Sequence, residues 1–297
     1  MDGLETRELA YFVAVAEELH FGRAARRLGI AQPPLSRAIK QIERRVGVPL
    51  LVRSSRRVEL TPAGAILLHE GRKALDAVAA ATRRARRAGQ PRAGLVVVTK
   101  TGGDAGLLPG ILARYGAEPG LPAVDVVLCG IGEQAPLLRD GRADVALLHR
   151  PWDDLSGFDT EDLLAQRQVA VLPRGHRLAA RPALALADLA GEPMPRWPGV
   201  PPPAGPAGPV GPEVRDGAQL LEFVALGRAV AVLPDSVRDT LRPDLVCVPV
   251  LDAPMSTLVV AWPERSRSGA TAAFVRAALA AAAASDVDNA AIRAARG

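Results

Sequence analysis

The first third of the chain carries apolar positions at helical spacing, interrupted by glycine and proline. A first apolar stripe comprises Leu9, Phe12, Val13 and Ala16. Their spacing predicts an amphipathic helix. A second short helix is expected over residues 23–28, because Gly29 tolerates the positive φ of a sharp turn. A third helix starts at residues 31–34, where Pro33 and Pro34 fit a first helical turn.

This third helix has two distinct faces. Its apolar stripe consists of Leu35, Ile39, Ile42 and Val46, and its polar face of Gln32, Ser36, Arg37, Lys40 and Arg44. Hydrogen-bonding and cationic side chains near a helix N-terminus suit base edges and phosphates in a major groove. The pattern therefore predicts the recognition helix of a helix-turn-helix.

Two short apolar strands around a cationic turn follow at residues 50–60 and predict a wing. Its arginines are expected to contact phosphate or to enter the adjacent minor groove. Any single one could equally be a solvent-exposed charge without a function. The predicted DNA-contacting residues are Gln32, Pro33, Pro34, Ser36, Arg37, Lys40, Arg53, Arg56 and Arg57.

A long helix is predicted over residues 61–88, with Thr61 as N-cap and Pro62 at the first helical position. A helix of roughly 27 residues is about 40 Å long, too long to bury within a small domain. Its apolar stripe comprises Leu67 or Leu68, Gly71, Leu75, Val78, Thr82 and Ala85. This stripe predicts dimerisation through a partner helix.

After residue 94 the pattern changes to short apolar runs alternating with helix-like segments. The runs cover residues 95–98, 124–128, 145–148, 169–172, 230–233 and 258–262. Such alternation favours an α/β architecture with parallel strands. The four histidines are scattered, and no phosphate-binding, nucleophile or metal-ligand motif occurs. We therefore expect no enzyme, no catalytic residues, no cofactor and no metal.

The distribution of charge along the chain indicates a polyanionic partner. Residues 1–94 contain 18 Lys and Arg against 9 Asp and Glu, and the remainder contains 19 against 23. A basic N-terminal third is expected to face DNA. The opening residues lack a signal-peptide pattern and no apolar run is long enough to span a membrane, so we expect a cytoplasmic protein without membrane contact.

Residues 10–64 resemble the DNA-binding domain of the LysR-type transcriptional regulators. The segments that carry the resemblance are Tyr11 to Glu17, Arg23 to Leu28, Ala31 to Ser36, Gly47 to Leu51 and Leu60 to Gly64. Gly22 departs from the family, which usually has a capping Ser or Thr there. The resemblance implies sequence-specific promoter binding as a dimer or tetramer, and contact with RNA polymerase if the protein is an activator.

The remaining residues resemble this family more loosely, which implies a two-lobed effector-binding domain similar to periplasmic solute-binding proteins. The expected organisation is a winged helix-turn-helix at 1–60, a linker and dimerisation helix at 61–89, and an effector domain at 90–297. Lobe I would take about 90–161 and 266–297, and lobe II about 162–265. A solute receptor or an enzyme on the same two-lobed fold is the alternative, which the first ninety residues disfavour.

Glycine-rich turns after predicted strands mark the expected effector site, because helix N-termini there attract anions. The expected residues are Lys100, Thr101, Gly102, Ile131, Gly132, Arg196 and Trp197. Lys100 and Arg196 favour a small organic anion, although such turns also occur in α/β domains without a ligand. Residues 198–212, with seven prolines and four glycines, favour an extended loop where the family usually has a helix.

Overall fold

The computed structural model describes residues 3–53, 57–89, 94–197, 209–264 and 266–296. The chain divides into two compact units, Met1–Arg86 (unit 1) and Arg87–Gly297 (unit 2). The boundary between the units therefore lies near the C-terminal end of the predicted linker helix. No helix in the described part of the chain is long and apolar enough to cross a membrane.

Unit 1 is a winged helix-turn-helix followed by a long helix, as predicted. Its elements are α1 Thr6–Glu18, α2 Phe21–Leu28, α3 Gln32–Val46, β1 Leu51–Arg53, β2 Val58–Leu60 and α4 Pro62–Ala88. Strands β1 and β2 pair antiparallel. Phe12, Leu35, Ile39 and Ile42 are fully buried and form the centre of its core.

Two details of unit 1 differ from the sequence prediction. Val46 is 41% exposed, because it lies in the last turn of α3 beyond the reach of α1 and α2. The N-cap of α2 is His20 and not Gly22: its ring Nδ1 accepts hydrogen bonds from the backbone N–H groups of Gly22 and Arg23, at 3.0 and 3.2 Å. A ring nitrogen thus replaces the hydroxyl oxygen usual at this position.

The apolar stripe predicted on α4 divides between two roles. Leu67, Leu68 and Leu75 pack against the core of unit 1. A Cβ atom added to Gly71 would lie 3.0 Å from Cδ1 of Leu9, so α4 approaches α1 closely there. Only the C-terminal part of the predicted stripe is exposed. The exposed residues on this part of α4 are Ala74, Val78, Ala81, Thr82 and Ala85.

Unit 2 contains ten strands and four α-helices among its described residues. In chain order they are β3 Leu95–Lys100, α5 Leu108–Gly116, β4 Val124–Cys129, α6 Gln134–Arg139, β5 Val145–Arg150, β6 Phe158–Gln166, β7 Gln168–Pro173, β8 Met194–Arg196, β9 Val210–Glu213, α7 Gly217–Ala225, β10 Ala231–Pro234, β11 Leu245–Val250, β12 Ser256–Pro263 and α8 Gly269–Arg296. These elements form two lobes, each around its own sheet.

Lobe I contains a five-stranded sheet in the order β4-β3-β5-β12-β6. Strand β3 is parallel to β4 and β5, as predicted, whereas β12 is antiparallel to β5 and β6. Lobe II contains the sheet β10-β7-β11, in which both pairings are antiparallel, and the small parallel pair β8-β9. The prediction of parallel strands is therefore wrong for the three-stranded sheet of lobe II, where β7 lies between two antiparallel partners.

The lobe boundaries also differ from the prediction of 162–265 for lobe II. Strands β6 and β12 both belong to the sheet of lobe I, so the chain crosses to lobe II after Gln166 and returns before Ser256. The reason is burial: Leu258, Val259 and Val260 are fully buried between β5 and β6. A continuous apolar run of this kind belongs in the middle of a sheet.

Candidate functional sites

The polar face of α3 is exposed because the opposite face is anchored in the core of unit 1. Gln32, Pro33, Pro34, Arg37 and Lys40 are exposed, and Ser36 is half-buried. Within the described part of the chain, Arg37 and Lys40 form no ion pair. This face therefore offers two cations without an ion-pair partner among the described residues, which suits a polyanion.

The arginines predicted in the wing (β1, β2 and their turn) differ in their exposure and in their partners. Arg53 places Nη2 2.6 Å from Oε2 of Glu43, and its guanidinium lies 5.2 Å from the ring centre of Phe21. The side chain of Arg57 is 78% exposed, with Nε 2.9 Å from Oε1 of Glu59. Arg56 lies outside the described residues. Arg53 is thus engaged within unit 1, and Arg57 is open to solvent.

In unit 2 the predicted turns after β3 and β4 approach lobe II. The backbone N–H of Ile131 donates to the carbonyl oxygen of Arg215 at 3.3 Å. A Cβ atom added to Gly217 would lie 3.4 Å from the carbonyl oxygen of Thr101. Gly102 and Gly132 both adopt positive φ, which glycine allows without strain. These contacts bring the two predicted turns to the first residues of α7.

Helix positions near this junction differ from the prediction. Helix α5 begins at Leu108, so the turn from Thr101 to Gly103 is not itself a helix N-terminus. The start of α7 was not among the predicted effector residues. Its N-cap is a standard one: Oδ1 of Asp216 accepts a hydrogen bond from the N–H of Gln219 at 2.8 Å. Asp216 before an apolar helical stripe signals a helix start in the sequence, but it does not place that start beside the turns of lobe I.

Lys100 has an internal counter-ion that the sequence did not reveal. Its Nζ lies 3.9 Å from Oδ2 of Asp153, and the two side chains are 20% and 9% exposed. The same oxygen of Asp153 accepts a hydrogen bond from the backbone N–H of His149 at 2.7 Å. Burial lowers the pKa of Lys100, and Asp153 opposes that shift. The charge of Lys100 is therefore largely balanced inside lobe I.

His149 lies beside this pair and is neutral at physiological pH. Burial, and secondly the charge of Lys100, lower the pKa of its imidazole to about 3. Burial and the nearby Glu133 raise the pKa of the Cys129 thiol to about 11, so that thiol is uncharged as well. The imidazole and the thiol are therefore both uncharged beside Lys100 and Asp153.

Comparison with known proteins identifies both units. The model of the bacterial regulatory helix-turn-helix proteins of the lysR family matches residues 6–65, and that of the LysR substrate binding domain matches residues 88–283. The chain belongs to the LysR family of transcriptional regulators. It is a DNA-binding regulator with an effector-binding domain, and its fold is that of full-length family members.

Individual relatives also support the assignment of this chain to the LysR family. It is 40% identical over 195 residues to the regulator AlsR of Bacillus subtilis, a match that covers 64% of this chain and 63% of AlsR. It is 31% identical over 276 residues to the uncharacterized regulator YnfL of Escherichia coli, covering 88% and 93%. Full-length CbnR in complex with its target DNA has a TM-score of 0.50 and 25% identity, covering 94% of this chain and all of CbnR.

Arg196 and Trp197 of this LysR-type regulator have contacts within lobe II. Nε of Arg196 donates to the carbonyl oxygen of Gly211 at 3.3 Å, and Nη1 lies 4.0 Å from Oε2 of Glu213. Trp197 packs against the lobe II core. Among the described residues, no hydrogen bond or ion pair joins either of them to lobe I. Most of the proline-rich segment, residues 198–208, lies outside the described residues.

Proposed function

We propose that this regulator binds promoter DNA by inserting the exposed face of α3 into a major groove. Gln32, Ser36 and Arg37 would meet base edges, with Pro33, Pro34 and Lys40 along the backbone. The wing, through Arg57 and Arg56, would approach the adjacent minor groove. The supporting observation is that Arg37 and Lys40 form no ion pair with any described residue and lie on a helix whose other face is buried.

In this role the protein is a regulator and not an enzyme. It would act on the chromosome in the cytoplasm. It would contact RNA polymerase if it activates transcription. Two copies would associate through the exposed part of α4, since promoter sites of helix-turn-helix dimers contain two half-sites.

Replacing Arg37 with alanine tests the DNA-binding face. DNA fragments selected from a random-sequence pool by the wild-type protein serve as the operator. We expect Arg37→Ala to lower operator affinity about 10- to 100-fold, equivalent to about 1–3 kcal/mol for a lost base contact. Fluorescence anisotropy at several salt concentrations measures this loss.

The matched control is Lys73→Ala, which removes one cation from α4, where Nζ lies 3.2 Å from Oε1 of Glu70. It should leave operator affinity nearly unchanged. Equal affinity of the wild-type protein for selected and scrambled DNA would contradict sequence-specific binding.

For unit 2 we propose a small organic anion as the effector, bound where the turns after β3 and β4 meet the start of α7. Lys100 and Asp153 nearly cancel, so a further cation is needed to balance an anion. Arg215 is exposed next to Asp216 and forms no ion pair with any described residue. Arg215 thus replaces Arg196 as the proposed lobe II cation.

Thermal unfolding with a panel of small carboxylic acids tests this site. An acid present at 100 times its dissociation constant should stabilise the protein by about 2.7 kcal/mol. Arg215→Gln should reduce the shift in Tm, and Thr101→Trp should abolish it by filling the space between the lobes. Thr240→Trp, at an exposed position in lobe II, is the control. A shift that survives Thr101→Trp means that the acid binds elsewhere.

A further inference from the structure

Glu43 joins the recognition helix to the wing through a single carboxylate. Its Oε1 accepts hydrogen bonds from the backbone N–H groups of Leu50 and Leu51, at 3.0 and 3.2 Å. Its Oε2 accepts a hydrogen bond from Nη2 of Arg53 at 2.6 Å. The side chain of Glu43 is only 17% exposed. One α3 residue thus accepts hydrogen bonds from three donors within residues 50–53, the segment that leads into and forms β1.

Arg53 is held on a second side by an aromatic ring. Its guanidinium lies 5.2 Å from the ring centre of Phe21, the first residue of α2. The Arg53 side chain is 26% exposed, and its bond to Glu43 is short and charge-assisted. A DNA phosphate would have to displace a carboxylate that is already in place. Arg53 is therefore a cation whose charge is used inside unit 1.

We propose that Glu43 is a positioning residue for DNA recognition. It fixes the wing relative to the recognition helix, and it withholds Arg53 from the phosphates. The major-groove and minor-groove elements then reach DNA in one fixed spacing. This inference rests on the proposed DNA-binding function, and it replaces the prediction that Arg53 contacts DNA with an internal role for Arg53.

The variant Glu43→Gln separates the two parts of the inference. Glutamine keeps an oxygen that can accept from Leu50 and Leu51, but its amide cannot accept from Arg53. Arg53 is released and becomes available to a phosphate. Each phosphate contact contributes about 0.9 to the slope of log affinity against log salt concentration. We expect Glu43→Gln to steepen this slope by about 0.9 on both selected and scrambled DNA.

Glu70→Gln is the matched control, since it makes the same charge change on α4 of the same unit, where Glu70 is 59% exposed. It should leave the slope at its wild-type value. Arg53→Met provides a second test if Glu43→Gln folds poorly. This substitution keeps apolar contact with Phe21 and should not change the slope, because Arg53 neutralises no phosphate in the wild type.

Footprinting provides a readout that general destabilisation would not produce. Glu43→Ala should lose the minor-groove protection given by the wing against hydroxyl radicals, while guanine protection in the major groove persists. Glu43→Gln should restore the wing footprint. Equal slopes for Glu43→Gln and wild type, or a slope reduced by about 0.9 in Arg53→Met, would overturn the inference. A wild-type protein that binds neither selected nor scrambled DNA would overturn the proposed function as well.

Discussion

Replacing Gly64 with alanine is expected to destabilise unit 1 by about 3 kcal/mol, since a methyl group is forced into a packed site. A Cβ atom at this position would lie 2.0 Å from the carbonyl oxygen of Leu50. That oxygen also accepts a hydrogen bond from the N–H of Thr61 at 3.0 Å, so it is not free to move. The obstacle is backbone, which cannot rotate away as a flexible side chain can.

Helix propensity alone predicts the opposite sign for the same substitution. Gly64 lies in the first turns of α4, and alanine is favoured over glycine by about 1 kcal/mol within a helix. Ala65→Gly is therefore the matched control: Ala65 is exposed on the next position, and this change should cost only about 1 kcal/mol. Urea unfolding followed by far-ultraviolet circular dichroism compares the two. A Gly64→Ala protein at least as stable as wild type would show that α4 and the wing separate more easily than the contacts imply.

The elements of unit 1 were predictable because their signals are local. Gly29 has positive φ at the end of α2, and Pro33 and Pro34 lie in the first turn of α3. Thr61 caps α4 by accepting a hydrogen bond from the N–H of Gly64 at 2.9 Å. His20 as the cap of α2 was missed, since histidine is not among the residues that N-caps favour.

The pairing of strands in unit 2 was not predictable from local patterns. Strand β6 reads as a mixed polar segment, yet it pairs along its length with β12, nearly a hundred residues later. The antiparallel sheet of lobe II depends on where the chain crosses between the lobes, which periodicity does not encode. Local apolar runs therefore located most strands without giving their partners.

In both candidate sites, a cation is paired with a carboxylate from another part of the sequence. Asp153 follows β5 and balances Lys100 at the end of β3, and Glu43 on α3 balances Arg53 in the wing. In each case the cation was visible in the sequence and its carboxylate was not. A basic residue in a sequence motif is therefore only a candidate contact to a ligand. The fold must then show whether a nearby carboxylate already compensates its charge.

Replacing Val78 with aspartate is expected to raise the dissociation constant of the dimer at least about 100-fold, or about 2.8 kcal/mol. Val78 is 48% exposed on α4, and it lies in a stripe with Ala74, Ala81 and Ala85. Spacings of four, three and four residues match the seam of a helical pair. Small side chains there allow close approach, and two desolvated carboxylates would face one another in the variant.

The choice of Val78 follows from what lies elsewhere on α4. Leu75 was equally attractive from the sequence, but it packs against the core of unit 1, so a charge there would unfold the unit whatever its oligomeric state. His69→Asp is the matched control, because His69 is exposed nine residues before Val78, about 180° around the helix. Sedimentation equilibrium should show weakened dimers for Val78→Asp and wild-type dimers for His69→Asp. Because two half-sites are bound together only by a dimer, operator affinity should fall in parallel. An unchanged dimer in Val78→Asp would mean that α4 is not the interface, and that unit 2 must hold the two copies together.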